Sequence, residues 1–363
     1  MKKITFLLCM VICVLQINAQ TPQYVSTEPM NRNVLIEELT GKNCGWCPAG
    51  QKDVNDFIKN NPGRVFAINI HSENAGNLSP KTYPNLNTLK GDDIYKVYTA
   101  GSLPAAMINR TTETAEPWDT DTWNLMVKQQ LNQTAECNIA GQVSINPDTR
   151  LARITVEVYY TSDSKVDVNY LTIVMLQNNI LGDQSGSEKN PEQIVNDKYN
   201  HMHVFRNTIT EKWGNEISPT TSGTLIKKTF KYTIPETIGD PNGVDVVLED
   251  LHFLAFVTEK RESGINTFPV LNVCELKEAE QETPVEDIEE YSYNVYPNPV
   301  ENEIYIEMIE PIEELVIYNI NGQQTAVDFQ QTSSTRSVIN VSNLNPGLYF
   351  IRVNNKVQKF IKQ

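Results

Sequence analysis

The 363-residue sequence predicts a multidomain protein of mixed class, an α/β unit followed by all-β units. Three observations carry that expectation. Residues 33–71 read as strand, helix, strand, the order of a βαβ unit with a parallel pair. Residues 136–276 change to alternating strands with turn signals and no helical period, the pattern of an antiparallel β-sandwich. Residues 293–363 hold further short strands, punctuated by Asn321-Gly322 and Pro346-Gly347 turns, and read as a small separate β unit.

Each element follows from local pattern. Met1-Lys2-Lys3, an apolar run over residues 4–15 and Ile17-Asn18-Ala19 have the three parts of a signal peptide cleaved after Ala19. Residues 20–32, with Pro22 and Pro29, are a polar lead-in. A buried strand over residues 33–39 ends at Thr40-Gly41. Beyond Cys47, Val54, Phe57 and Ile58 fall at helical spacing, Pro48 suits a first helical turn, and Asn61-Pro62-Gly63 closes the helix. Residues 64–71 form the second buried strand, and Ile94, Val97 and Tyr98 place a helix over 92–98. Leu103-Pro104 leads into the apolar strand 105–108, after which residues 110–118 are so short and polar that a following strand must be brief or missing. Asp121 or Thr122 starts a helix with Trp123, Val127 and Leu131 on one face, the last element of an α/β domain spanning 33–135. In the sandwich region, strands are expected at 139–145, 152–160, 170–177, 225–232 and 251–258.

Charge narrows the partners. The net charge of −15 excludes a protein built to neutralise phosphates, so nucleic acid is not an expected partner. Much of the excess lies in an acidic linker over residues 277–292, whose carboxylates repel one another. Beyond the signal segment no run reaches the roughly twenty apolar residues of a membrane helix.

Of six cysteines, Cys44, Cys47, Cys137 and Cys274 lie beyond the signal segment, and export permits disulfides. Their spacing predicts two pairs. A structural Cys137–Cys274 disulfide would join the first and last sandwich strands, worth ~2–5 kcal/mol in the chain-entropy model. A zinc reading of Cys44 and Cys47 needs two more ligands; His201 and His203, two apart and so on one face of a strand, lie in the second domain and read as framework. Neither metal nor cofactor is expected.

Asn43-Cys44-Gly45-Trp46-Cys47-Pro48, between an apolar strand and a helix start, resembles a thioredoxin-type redox site. A helix N-terminus favours a thiolate. The resemblance makes Cys44 the more exposed sulfur and the nucleophile, and Cys47 the resolving thiol. It implies that Pro104 is a cis proline facing the two cysteines, and that Glu38 is a buried acid relaying protons. Strand alternation sends Glu37, the competing carboxylate, to the opposite face. His71, ending the second strand, reads as a surface histidine.

Two further resemblances place the protein. Tyr296-Pro297-Asn298-Pro299, Asn321-Gly322, then Gly347-Leu348-Tyr349 and a Lys-containing end resemble the C-terminal sorting domain of type IX secretion substrates, here a small β-sandwich. That implies passage to the periplasm, handling by the type IX machinery, and a cell-surface, outer-membrane or secreted location. Leu35-Ile36-Glu37-Glu38-Leu39-Thr40-Gly41 leading to Cys44 and Cys47-Pro48, then Leu103-Pro104-Ala105, resembles the outer membrane protein twenty-eight family, which pairs a thioredoxin-like region with a β domain. The resulting expectation is a surface thiol-disulfide oxidoreductase acting on protein disulfides. The competing one is a non-catalytic binding protein or adhesin in which Cys44 and Cys47 form a structural disulfide.

Overall fold

A computed structural model describes residues 21–98, 100–259, 268–279, 293–308, 312–333, 335–354 and 356–363. The proposed signal peptide and residues 280–292 of the acidic linker lie outside them. The chain divides into two compact units near residue 280.

In the first unit, β1 (Val34–Thr40) and β2 (Val65–His71) are parallel neighbours, from Val34 beside Val65 to Thr40 beside His71. The apolar runs Val34-Leu35-Ile36 in β1 and Val65-Phe66-Ala67-Ile68 in β2 are those of strands covered on both faces. The connection is α1 (Cys47–Asn60), with Pro48 in its first turn. Val54 and Phe57 lie three apart on one helix face and pack with Val34, Ile36, Val65 and Ala67. Each such side chain contributes ~1.5–3 kcal/mol on full burial. α2 (Leu89–Val97) starts earlier than its apolar spacing suggests, because Thr88 Oγ1 caps it by accepting from Gly91 N–H at 3.0 Å. β3 (Ala105–Ile108) runs antiparallel to β1, and the strand expected to be brief is β4 (Glu116–Pro117). α3 (Thr120–Leu131) is capped by Asp119, whose carboxylate accepts from Thr122 N–H at 2.8 Å, so the start expected at Asp121 or Thr122 moves back.

The β-rich half follows as β5 (Cys137–Asn146), β6 (Leu151–Tyr160), β7 (Asn169–Gln177) and the short β8 (Ile180–Gly182), β9 (Ile194–Val195) and β10 (Lys198–His201). Then come β11 (Val204–Thr208), β12 (Asn215–Ile217), β13 (Leu225–Thr233), β14 (Thr237–Ile238), β15 (Val244–Asp245), β16 (Leu251–Glu259), β17 (Val270–Glu275) and β18 (Lys277–Glu278). One sheet has the order β13-β6-β5-β18. It packs through Val156, Val158, Ile173, Phe253 and Ala255 onto a second sheet, giving the sandwich core.

That second sheet corrects the expected boundary at residue 135. Its order is β17-β16-β7-β11-β2-β1-β3-β4, so sandwich strands and α/β strands form one continuous sheet. The seam is β11 on β2: Val204 stands beside Asn69, Asn69 N–H donates to the His203 carbonyl, and Asn69 Nδ2 donates to the Met202 carbonyl, both at 2.8 Å. Alternation along a strand reveals its two faces but not its neighbour.

Two smaller expectations also change. Lys277 and Glu278 are not linker but β18, parallel to β5. Cys137 and Cys274 are free thiols rather than a disulfide. Asn272 Nδ2 donates to the Cys137 carbonyl, and Lys277 stands beside Gln142. Asn272, two residues before Cys274, is thus the β17 residue bonded to Cys137. Burial pushes both thiols up, Cys274 to about 12.

The second unit has two four-stranded sheets. Its strands are β19 (Tyr293–Tyr296), β20 (Glu303–Met308), β21 (Leu315–Asn319), β22 (Gln324–Thr325), β23 (Asp328–Ser333), β24 (Arg336–Asn340), β25 (Gly347–Val353) and β26 (Lys356–Lys362), in the orders β19-β20-β24-β23 and β22-β21-β25-β26. Ile304, Ile306, Ile317, Ile339, Ile351 and Phe360 fill the core.

Candidate functional site

Cys44 and Cys47 form a disulfide where β1 passes into α1. Cys44 is 3% exposed and Cys47 fully buried. The face of α1 that carries Cys47 carries Gly50 three residues later. A Cβ on Gly50 would stand 2.8 Å from Pro104 Cγ and 3.2 Å from Glu38 Oε1, so only glycine allows this approach. The Leu103–Pro104 peptide is cis. In the β1–β3 register Ala105 stands beside Leu39, which sets Pro104 one step further, toward the end of β1 that leads into Cys44.

Glu38 is fully buried, and neither carboxylate oxygen has a hydrogen-bond partner among the described residues. Burial, helped by the Asp53 charge, pushes its carboxyl well above the usual range, which favours the protonated form. Glu37 points to the other face, where Arg110 Nε and Nη2 each donate to one of its oxygens at 2.7 Å.

Several residues around the pair carry no local sequence signal. Gln51 donates to Thr40 Oγ1 at 3.1 Å and accepts from Tyr199 O–H at 2.5 Å. Tyr199 lies edge-on to His201, and His201 to His71, with ring centroids 5.2 and 5.8 Å apart. His71 is therefore buried rather than at the surface, held by β11 and β10 packing across the end of β2. Burial, then His201, Lys42 and Arg206, lower its pKa well below the usual value; burial and Lys42 lower that of His201 to about 3. His203 leaves the face of His201, because the chain turns between β10 and β11 with His203 at φ +53°, and its ring meets His252 instead. Among the described residues no group of three His, Cys, Asp or Glu side chains is placed to hold a metal.

The disulfide has a cover. Gln184 Nε2 donates to the carbonyls of Gly41 and Cys44 at 3.2 and 3.1 Å, and Ser185 N–H donates to the Lys42 carbonyl at 2.8 Å. Gly186, at φ +72°, lies so close that a Cβ would stand 2.1 Å from the Gly45 carbonyl oxygen. Lys189 then sits 5.0 Å above the ring of Trp46, which is 59% exposed and stacks on Trp118 at 5.9 Å. Gly186→Val is expected to prise this segment away and raise several-fold the rate at which dithiothreitol reduces the disulfide. An unchanged rate, with Tm unaltered, would mean the segment does not guard the sulfurs.

The tail motifs meet in the second unit. Tyr296–Pro297 and Asn298–Pro299 are cis. Asn298 Oδ1 accepts from Ile361 N–H at 2.9 Å, which ties this motif to β26. Gly347 opens β25, and Tyr349 stacks on Phe360 at 5.6 Å while its hydroxyl donates to the Asn345 carbonyl.

Among solved structures, HBP35 of Porphyromonas gingivalis is similar, with a TM-score of 0.53 and 16% identity over 92% of this chain and 98% of that one. A protein of Agrobacterium tumefaciens matches at a TM-score of 0.43 and 11% identity, over 70% and 98% of the two chains. A domain of the outer membrane lipoprotein Omp28 from Porphyromonas gingivalis matches at 0.27 and 20%, over 41% and 92%. No curated protein matches the chain. No helix among the described residues is long and apolar enough to cross a membrane. The family described as secretion system C-terminal sorting domain matches residues 294–363, which implies interaction with the type IX secretion machinery and supports export to the cell surface or outer membrane. The family described as Outer membrane protein Omp28 matches residues 91–281, from α2 through the sandwich strands, and with more than half its length so matched the chain belongs to that family.

Proposed function

We propose that this is an exported, surface-located thiol-disulfide exchange protein with a thioredoxin-like region, acting on protein thiols and disulfides through Cys44 and Cys47. The observation that carries this reading is the Cys44–Cys47 disulfide at the start of α1, with Gly50, one turn on from Cys47, against both the cis Pro104 and the buried, unpartnered Glu38. A structural disulfide has no need of an uncompensated carboxyl against the first turn of the helix that carries it.

In the oxidised form, a substrate thiolate attacks Cys44 Sγ, the Cys44–Cys47 bond breaks, and the electron pair leaves on Cys47. Glu38 is the acid that supplies the proton to that thiolate. A second substrate thiolate then attacks the substrate sulfur of the mixed disulfide and releases Cys44. The substrate gains one disulfide, and the protein holds two thiols until another disulfide reoxidises it. Reduction of a substrate disulfide is the same sequence reversed. Trp46 and Trp118 offer an exposed apolar surface beside the sulfurs for an unfolded segment.

The burial of both sulfurs under residues 184–189 supports the alternative, a binding protein or adhesin with a structural disulfide. Trapping separates the two. Cys47→Ser is expected to accumulate reducible adducts with surface proteins through Cys44, absent from the Cys44→Ser, Cys47→Ser double variant. No adduct from Cys47→Ser would favour the alternative.

A further inference from the structure

A second site lies away from the cysteines. A cavity of about 640 Å³ opens between the N-terminus of α2 and the strands around β14, with Thr88, Leu89, Arg206, Tyr232, Pro235 and Ile238 on its walls. Its walls are largely apolar, yet one of them holds a buried cation. Arg206 is 1% exposed, and it donates from Nη2 to the Ile238 carbonyl at 2.8 Å. Its Nε and Nη1 have no acceptor among the described residues. Burial lowers its pKa to about 10, and no carboxylate offsets that effect. A buried guanidinium with two unmet donors is a costly arrangement that a ligand anion would relieve.

The backbone shows how the residue is placed. In the β11–β7 register Phe205 stands beside Leu176 and Asn207 beside Met175, so Arg206 is the extra residue of a bulge. Such bulges re-aim one side chain out of the ladder. The start of α2 also lines the cavity and adds the positive end of a nine-residue helix. Asp240 is an exposed carboxylate on the cavity, and three other charges around it are engaged. Lys81 is paired with Glu73, Lys90 donates to the Thr208 carbonyl at 2.7 Å, and Asp92 accepts from Ser72 O–H at 2.8 Å. A buried positive charge with no carboxylate beside it, set against apolar walls, fits a monoanion better than a phosphate dianion.

We infer that this cavity binds a small organic carboxylate, with its charge toward Arg206 and its apolar body against Leu89, Tyr232 and Ile238. The test uses the full chain and three probes in calorimetry and thermal melts: hexanoate, hexan-1-ol and inorganic phosphate. Hexanoate is expected to bind saturably and raise Tm, with hexan-1-ol and phosphate weaker by an order of magnitude or more. Arg206→Met is expected to leave the unliganded Tm equal or higher, because it removes an unpaired buried charge, and to abolish the hexanoate response. Asn207→Asp, isosteric and on the same cavity, adds an internal carboxylate and is expected to weaken hexanoate even if Arg206→Met does not fold. The inference is overturned by hexanoate that does not saturate, by hexan-1-ol binding equally well, by phosphate binding ahead of hexanoate, or by undiminished hexanoate affinity in either variant.

Discussion

Replacing Glu37 with Leu is expected to destabilise the first unit by about 3–5 kcal/mol, the usual result of removing one partner from a buried ion pair. Glu37 and Arg110 side chains are 2% and 4% exposed, and the guanidinium stacks within 5.1–5.8 Å of the rings of Phe256, Tyr98 and Trp213. Without the carboxylate, Arg110 would be a charge in an apolar box at the join between β3 and the sandwich strands. The loss is read as a fall in the urea midpoint at unchanged slope. Glu37→Leu with Arg110→Leu should recover most of it, because an apolar pair of similar volume replaces the ions. A single-variant loss below about 1 kcal/mol would mean that water reaches the pair and screens it.

Acid should unfold the first unit earlier than its carboxylates alone would dictate. All four histidines of the chain are in two ring pairs, His71 with His201 and His203 with His252. Burial lowers the pKa of each: His203 to about 4, His201 and His252 to about 3, and His71 well below its ordinary value. Lys42 and Arg206 oppose protonation of the first pair, Asp183 partly favours it, and each ring of the second pair faces the other. The folded protein therefore holds these rings neutral, whereas the unfolded chain binds protons near pH 6.5. Their contribution is complete above pH 6.5 and is lost as pH falls toward 4 and 3. At 1.36 kcal/mol per pH unit, one such histidine alone amounts to several kcal/mol. Urea midpoints measured from pH 7 to pH 4 should fall steeply, and His201→Leu with His252→Leu should flatten the slope. An equally steep slope in that variant would assign acid sensitivity to the carboxylates.

The parts legible in the sequence were those with a local cause. The apolar runs Val34-Leu35-Ile36 and Val65-Phe66-Ala67-Ile68 marked β1 and β2 as covered strands, and the spacing of Val54 and Phe57 marked α1. Alternation alone separated Glu37 from Glu38, and the structure sends one to Arg110 and leaves the other unpartnered. The four acidic or hydroxyl residues Asp119-Thr120-Asp121-Thr122 could each cap α3, and only the hydrogen bond to Thr122 N–H decides for Asp119. What stayed hidden was long-range. The single registered pair of Val204 with Asn69 joins what read as two domains, and nothing near Asn69 announces it. The cover over Cys44 comes from 140 residues away, its nearest hint being the turn-rich run Asp183-Gln184-Ser185-Gly186. The Cys137–Cys274 pairing failed because Asn272 rather than Cys274 is bonded to Cys137, which cysteine spacing does not encode.

Whether the covered disulfide works as a redox centre is decided most directly by disulfide exchange with a protein substrate. Reduced wild-type protein and Cys44→Ser, matched for Tm, are each given insulin, and the release of insulin thiols is followed. Thiol release by the wild type and its abolition in Cys44→Ser is the result expected here. Equal activity in Cys44→Ser, or none in the wild type even with Gly186→Val opening the cover, would contradict it and leave Cys44–Cys47 as a structural link in a surface protein.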